Sequence, residues 1–165
     1  MPATPYVAVV GPGEASAAEA EAAEAVGRLL AEAGAIVVTG GHGGVMAAAC
    51  RGARSAGGLT VGILPGADRH AANEAVTVAI PTGLGELRNG LIVRAADVVV
   101  AVGGAYGTLS EVALALKTQV PVVGLNTWPI DGIESAVAPR DAAGRALELA
   151  ARARALSAPP GEAVA

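Results

Sequence analysis

The sequence predicts an α/β fold: one domain in three α/β/α layers, with a mostly parallel sheet of six or seven strands. Three observations predict it. Short β-branched apolar runs alternate along the chain with Ala- and Leu-rich stretches of helical spacing. Glycine clusters stand where those runs end, at Gly11-Pro12-Gly13, Gly40-Gly41-His42-Gly43-Gly44 and Gly103-Gly104. Aromatics are nearly absent, with no Phe and only Tyr6, Tyr106 and Trp128, so Val, Ile, Leu and Ala must build the core.

The bulk composition narrows the function classes. A chain of 165 residues, 53% hydrophobic and 16% charged, is long enough for a single buried core and too apolar for a disordered one. A net charge of -4, no basic cluster and no aromatic platform argue against a nucleic-acid partner. Cys50 stands alone, which excludes an intramolecular disulfide and fits a small buried residue in a reducing compartment. No apolar run reaches the ~20 residues of a membrane span, and Met1 to Pro5 lacks the regions of a signal peptide. A cytoplasmic location without a membrane partner is the expectation.

The elements follow in order. Tyr6 to Val10 reads as the first strand, and Ser16 with Glu19 has capping-box spacing for a helix that Gly34 ends. Gly11-x-Gly13-x-x-Ser16 nearly matches a dinucleotide fingerprint. It lacks the third Gly, and no acidic residue follows Thr39, so NAD is disfavoured. Ala35 to Thr39 is the second strand, about Val45 to Ser55 a helix, Leu59 to Leu64 the third strand and Val76 to Ile80 the fourth. Glu86 to Ala95 reads as a helix whose buried stripe is Leu87 and Leu91, with Arg88 beside it. Arg94 lies about 120° further round at 3.6 residues per turn, so the two arginines are expected to do different jobs. Val98 to Val102 is a strand buried on both faces, and a helix leaves after it through Lys117. Val120 to Leu125 is expected to be the last strand, Asn126 to Pro139 a loop, and Arg140 to Ala155 a closing helix before a frayed tail from Ser157 to Ala165.

The segment Gly103-Gly104-Ala105-Tyr106-Gly107-Thr108-Leu109-Ser110-Glu111 concentrates the chemistry. A strand, a glycine turn and a helix N-terminus bring free N–H groups and the positive end of a helix dipole to one point, which suits phosphate. Gly103, Gly104, Tyr106, Gly107 and Thr108 are the expected binding residues there, with Gly40, Gly41, Gly43 and Gly44 from the second glycine turn. Arg88 would supply a charge-assisted contact. Glu111 would face a sugar attached to the phosphate, where a carboxylate can stabilise an oxocarbenium-like transition state. The same spacing, Thr108-x-x-Glu111, is also a capping box in which Glu111 folds back on its own helix, and spacing alone does not separate the two. No metal cluster is evident.

This segment resembles the Pro-Gly-Gly-x-Gly-Thr-x-x-Glu motif of the LONELY GUY family of Rossmann-like nucleotide-binding proteins. Leu87-Arg88-Asn89 looks like that family's Glu-Arg-Lys, Gly40 to Met46 like its other glycine loop, and Gly62-Ile63-Leu64-Pro65 like its third strand ending. The resemblance spans about Tyr6 to Leu125. It implies an activity, cleavage of a nucleoside 5′-monophosphate to free base and ribose 5-phosphate, with Arg88 and Glu111 as the catalytic pair, no cofactor, and at least a homodimer. Gly103, Ala105 and Asn89 depart from the motif, and Asn89 removes a cation. That variant pattern is similar to a branch that includes molybdenum-cofactor carrier proteins, which bind a phosphorylated pterin without turning it over. Sequences of this kind are also labelled lysine decarboxylases, but pyridoxal phosphate needs a Schiff-base lysine. The only lysine, Lys117, ends its helix far from the motif.

Overall fold

The computed structural model describes residues 4–157. Its seven strands are β1 (Tyr6–Val10), β2 (Ile36–Thr39), β3 (Thr60–Leu64), β4 (Val78–Pro81), β5 (Val98–Val102), β6 (Val122–Leu125) and β7 (Ile133–Ala136). They form one sheet in the order β4-β3-β2-β1-β5-β6-β7, and every pairing is parallel. The helices are α1 (Ala17–Glu32), α2 (Gly44–Ser55), α3 (Asn89–Arg94), α4 (Tyr106–Lys117) and, after the last strand, α5 (Pro139–Ser157). The three-layer α/β expectation holds, with an all-parallel seven-stranded sheet.

Strand periodicity divides the core into two sides. Val7, Val9, Val98, Val100 and Val102 point to the layer of α1, α2 and α5. Ala8, Val10, Val99 and Ala101 point to the layer of α3 and α4, where Ile92, Val93, Val112 and Ala115 meet them. Both faces of the central strands are therefore apolar, which is why they read as continuous Val runs.

Small residues let α1 and α2 approach to backbone contact. A Cβ on Gly27 would lie 2.0 Å from the Ala49 carbonyl oxygen, and one on Gly52 would lie 1.9 Å from that of Glu24. The expected capping box is formed: the Ser16 side chain accepts from the Glu19 N–H at 3.2 Å, and the Ser16 N–H donates to Glu19 Oε2 at 2.8 Å.

Three expectations are corrected. The last strand is not Val120 to Leu125, because β7 adds a further edge strand inside the expected Asn126 to Pro139 loop. Its half-exposed Ile-Glu-Ser-Ala carries no apolar run, and it is held to α5 by Arg145, which donates to Glu134 at 3.0 Å through Nη2. The expected helix from Glu86 to Ala95 is split into a 3₁₀ turn, Gly85–Arg88, and α3. Its phase is also reversed: Leu87 is 80% and Leu91 42% exposed, while Arg88, Asn89, Ile92 and Val93 are buried. The tighter 3₁₀ turn and the hydrogen bonds of Arg88 and Asn89 set that phase. Arg94 is exposed, unlike Arg88. The expected frayed tail lies, from residue 158 on, outside the described residues.

The α1–α2 contact yields a stability prediction. Gly52→Ala should lower unfolding free energy by about 1–3 kcal/mol, because the methyl group must push a backbone carbonyl aside. Urea denaturation checks it, and an unchanged midpoint would show that the two helices separate freely.

Candidate functional site

The sheet order reverses between β1 and β5. From β1 the chain builds outward through β2, β3 and β4; from β5 it builds the other way through β6 and β7. β1 leads to α1 on one face, and β5 leads to α4 on the other. The loops leaving these neighbours diverge, and in open α/β sheets such a crevice is where ligands bind.

A cavity of about 170 Å³ occupies this crevice. The Gly11-Pro12-Gly13 turn forms one wall with Met46 of α2. Glu86, Arg88 and Asn89 form a second. Ala105, Gly107, Thr108 and Glu111 close it from α4. The structure thus brings Arg88, Gly107, Thr108 and Glu111 together, drawing on residues far apart in sequence.

Helix α4 begins at Tyr106, with Ala105 as its N-cap. This placement overturns the capping-box alternative for Glu111. The third helical position is Thr108, whose Oγ1 accepts from the Ala105 N–H at 3.3 Å. Glu111 lies almost a turn deeper, 6% exposed, with its side chain on the cavity. The N–H groups of Tyr106, Gly107 and Thr108 are first-turn donors without intrahelical acceptors, so a positive helix end faces the same space.

Arg88 is 8% exposed. Its Nη1 donates to Asn89 Oδ1, and its Nη2 points to the Gly40 carbonyl at 3.5 Å. Its Nε is buried without a partner among the described residues. Asn89 Nδ2 in turn donates to Ser110 Oγ at 2.9 Å, and Ser110 Oγ donates to the Gly107 carbonyl at 2.7 Å. Burial lowers the Arg88 pKa, opposed by Glu111 and then Glu86. The guanidinium still remains charged at any physiological pH. Burial also raises the Glu111 carboxyl to about 7, against the pull of Arg88.

The other expected binding residues sit elsewhere. Gly40 lies beneath Arg88, where a Cβ would come 2.7 Å from Nη2. Gly41 has φ +78 and packs on Leu64, and Gly43 caps α2. Gly44 presses on the Pro12 and Gly13 carbonyls. None of the four lines the cavity; Gly40, Gly43 and Gly44 pack against residues that do. Gly103 and Gly104 line a separate cleft of about 400 Å³ beside Trp128 and Glu19. The Tyr106 side chain is 91% exposed. Among the described residues no group of three or more His, Cys, Asp or Glu could hold a metal, and no helix is long and apolar enough to cross a membrane.

Sequence reasoning missed Met46, Glu86 and the Gly11–Gly13 turn as cavity walls. The turn carried a signal: it follows the strand at which the sheet order reverses, whatever the quality of its dinucleotide fingerprint. Asn89 registered only as a missing cation, because nothing in sequence shows that its amide joins two helices.

The Glu111 carboxyl makes stability depend on pH. Its pKa rises from 4.5 in the unfolded chain to about 7 in the fold. The folded state therefore holds the proton more tightly, and the contribution is fully present below about 4.5 and lost as pH rises through about 7. Glu111→Gln, neutral throughout, should gain on wild type by about 3 kcal/mol at high pH and by less than about 1 kcal/mol at pH ~5. Urea unfolding of both proteins across this range checks it; a constant gap would mean Glu111 is ionised in the fold.

Comparison with known proteins agrees with this architecture. A protein of Archaeoglobus fulgidus of uncharacterised function is 43% identical over 119 residues, 72% of this chain and 78% of its own. The molybdenum cofactor binding protein of the phototrophic bacterium Rippkaea orientalis superposes with a TM-score of 0.85 at 39% identity, covering 89% of this chain and 98% of that one. The molybdenum cofactor carrier protein of Chlamydomonas reinhardtii gives 0.82 at 36% identity, again over 89% and 98% of the two chains. The model of the SLOG cluster4 family matches residues 4–153, and the chain belongs to that family.

Proposed function

We propose that the protein holds a small phosphorylated ligand in the cavity at the sheet's switch point, and that the ligand is a phosphorylated pterin carried rather than converted, as with molybdenum cofactor. The observation that carries this is the state of Arg88. It is a buried cation committed to Asn89 and the Gly40 carbonyl, and it forms no ion pair with Glu111. A fixed guanidinium beside the open donors of α4 is equipped to hold an oxyanion. The cavity, at about 170 Å³, is smaller than the usual ~300–1,000 Å³ of a whole-ligand pocket. It suits the phosphate-bearing end, with the rest of the ligand outside. Two structural neighbours named for molybdenum cofactor support the choice of cargo.

A second reading rests on Glu111. A carboxyl with a pKa of about 7 beside a bound sugar is placed for acid–base work on the N-glycosidic bond of a nucleoside 5′-monophosphate. Against it, burial favours the protonated carboxyl and Arg88 is bonded to Asn89 and the Gly40 carbonyl, so no direct ion pair holds Glu111 in the charged form that a ribosyl cation would need.

One experiment separates the two. Purified protein is incubated anaerobically with molybdopterin, re-isolated, and its pterin quantified by fluorescence after oxidation. In parallel it is incubated with a panel of nucleoside 5′-monophosphates and assayed for free base. Retained pterin that Arg88→Ala lowers at least tenfold, with no base released, is the expected result. Base release lost in Glu111→Gln would establish the hydrolase.

We also propose that the protein is a homodimer or larger homo-oligomer through the outer faces of α3 and α4. Leu84, Leu87 and Leu91, 48%, 80% and 42% exposed, surround a shallow apolar groove with Leu114. Leu87→Asp should shift the light-scattering mass to the monomer without lowering the melting temperature. A wild type that is already monomeric would refute the assignment.

A further inference from the structure

We propose that Asn89 and Ser110 form a clamp that fixes the Arg88 guanidinium to the first turn of α4, so that cation and turn meet a ligand anion as one unit. This rests on the reading of the cavity as an anion-holding site and names the residues that preorganise it.

The argument begins with the donor and acceptor inventory. A guanidinium has only donors, so a buried one needs acceptors. The Asn89 amide carries both an acceptor oxygen and a donor NH₂ group, and both are used across the gap between two elements. Its oxygen accepts from Arg88 Nη1, and its Nδ2 donates to Ser110 Oγ at 2.9 Å. Ser110 completes the path by donating to the Gly107 carbonyl at 2.7 Å, inside the turn that borders the cavity. Three hydrogen bonds in series thus run from the cation to the anion-facing turn, and each hydroxyl or amide group in the path both accepts and donates.

The burial pattern fits a positioning role. Asn89 is 5% exposed and displaces an apolar residue from the inner face of α3, while Leu87 and Leu91 face outward. An uncharged amide turned inward is costly unless its hydrogen bonds are made, and both ends of this one are. Preorganised charge binds better than charge that must be ordered on binding. The clamp supplies that ordering before any ligand arrives.

Ser110 is the informative position because it is exposed and makes no contact with Arg88 in the chain of bonds. Ser110→Ala should therefore still fold, with a melting temperature lowered only modestly because the Asn89 amide loses one acceptor. It should nevertheless loosen Arg88, which a merely local role for Ser110 would leave untouched. The ¹H–¹⁵N signals of the Arg88 guanidinium, assigned by their loss in Arg88→Lys, report this directly. Restricted rotation in wild type should give separate, slowly exchanging Nη protons. Ser110→Ala and Asn89→Ala should merge them, and Ser110→Thr, which keeps the hydroxyl, should restore them. Inorganic phosphate serves as the probe of binding, read from the Gly107 and Thr108 amide shifts. Ser110→Ala should weaken phosphate about threefold to tenfold. Unchanged Arg88 signals in both alanine variants would overturn the clamp. Absence of any phosphate shift in wild type would overturn the anion-site reading instead, and the Arg88 signals would still decide whether the clamp exists.

Discussion

Taking the Arg88 guanidinium out of water sets the terms for everything around the cavity. A buried cation without partners is worth several kcal/mol of destabilisation, and its surroundings are arranged to supply acceptors. The Gly40 carbonyl can come near only because residue 40 has no Cβ; one would stand 2.7 Å from Nη2. The amide of Asn89 must turn inward for the same reason. Those two inward residues fix the phase of α3, and that phase leaves Leu87 and Leu91 on the outside. A single buried charge thus accounts for a glycine on one strand end, an amide on the next element and an apolar surface on the far side of the helix.

The sheet supplies the place for that charge. At the β1–β5 boundary the loops part to opposite faces, so backbone from both can border one space without filling it. Much of the glycine content serves this geometry and not the ligand. Gly27 and Gly52 bring α1 and α2 into backbone contact, and Gly44 brings the start of α2 against the turn after β1. Gly103 has φ +63 and sits against the Glu19 side chain, so the turn after β5 is tied to the N-terminal cap of α1. Among the cavity's own walls, the open backbone donors belong to the first turn of α4.

Legibility from sequence follows from what each feature depends on. The central strands were readable because burial on both faces leaves a plain Val run, and α1 because its Ser16–Glu19 cap is local. Strand β7 was not, since an edge strand anchored by Arg145 and Glu134 needs no apolar pattern. The stripe on Glu86 to Ala95 misled because periodicity assumes that apolar side chains go inward, an assumption a buried Arg–Asn pair reverses. Arg88 and Glu111 were found as candidates from their types and motif context. The link from Arg88 to α4 through Asn89 and Ser110 joins residues 21 apart in sequence, and no spacing rule encodes it.

Holding and turnover place opposed demands on the same carboxyl. Two acids, Glu86 and Glu111, and one guanidinium border the cavity. A phosphate monoester entering it brings further negative charge. An ionised Glu111 in so buried a position would repel that charge through a medium that screens far less than water. Burial counters this by raising the carboxyl to about 7, so that a proton can accompany the anion. The neutral acid that results can donate a hydrogen bond to a ligand oxygen, which favours retention. That protonated form lacks the charge that a developing ribosyl cation would need. Stabilising that cation would require Glu111 to be solvated or directly paired with Arg88, and the Asn89 clamp directs Arg88 elsewhere. On the proposed carrier reading, the burial that would suit the site to hold an anion is the same burial that would count against turnover there.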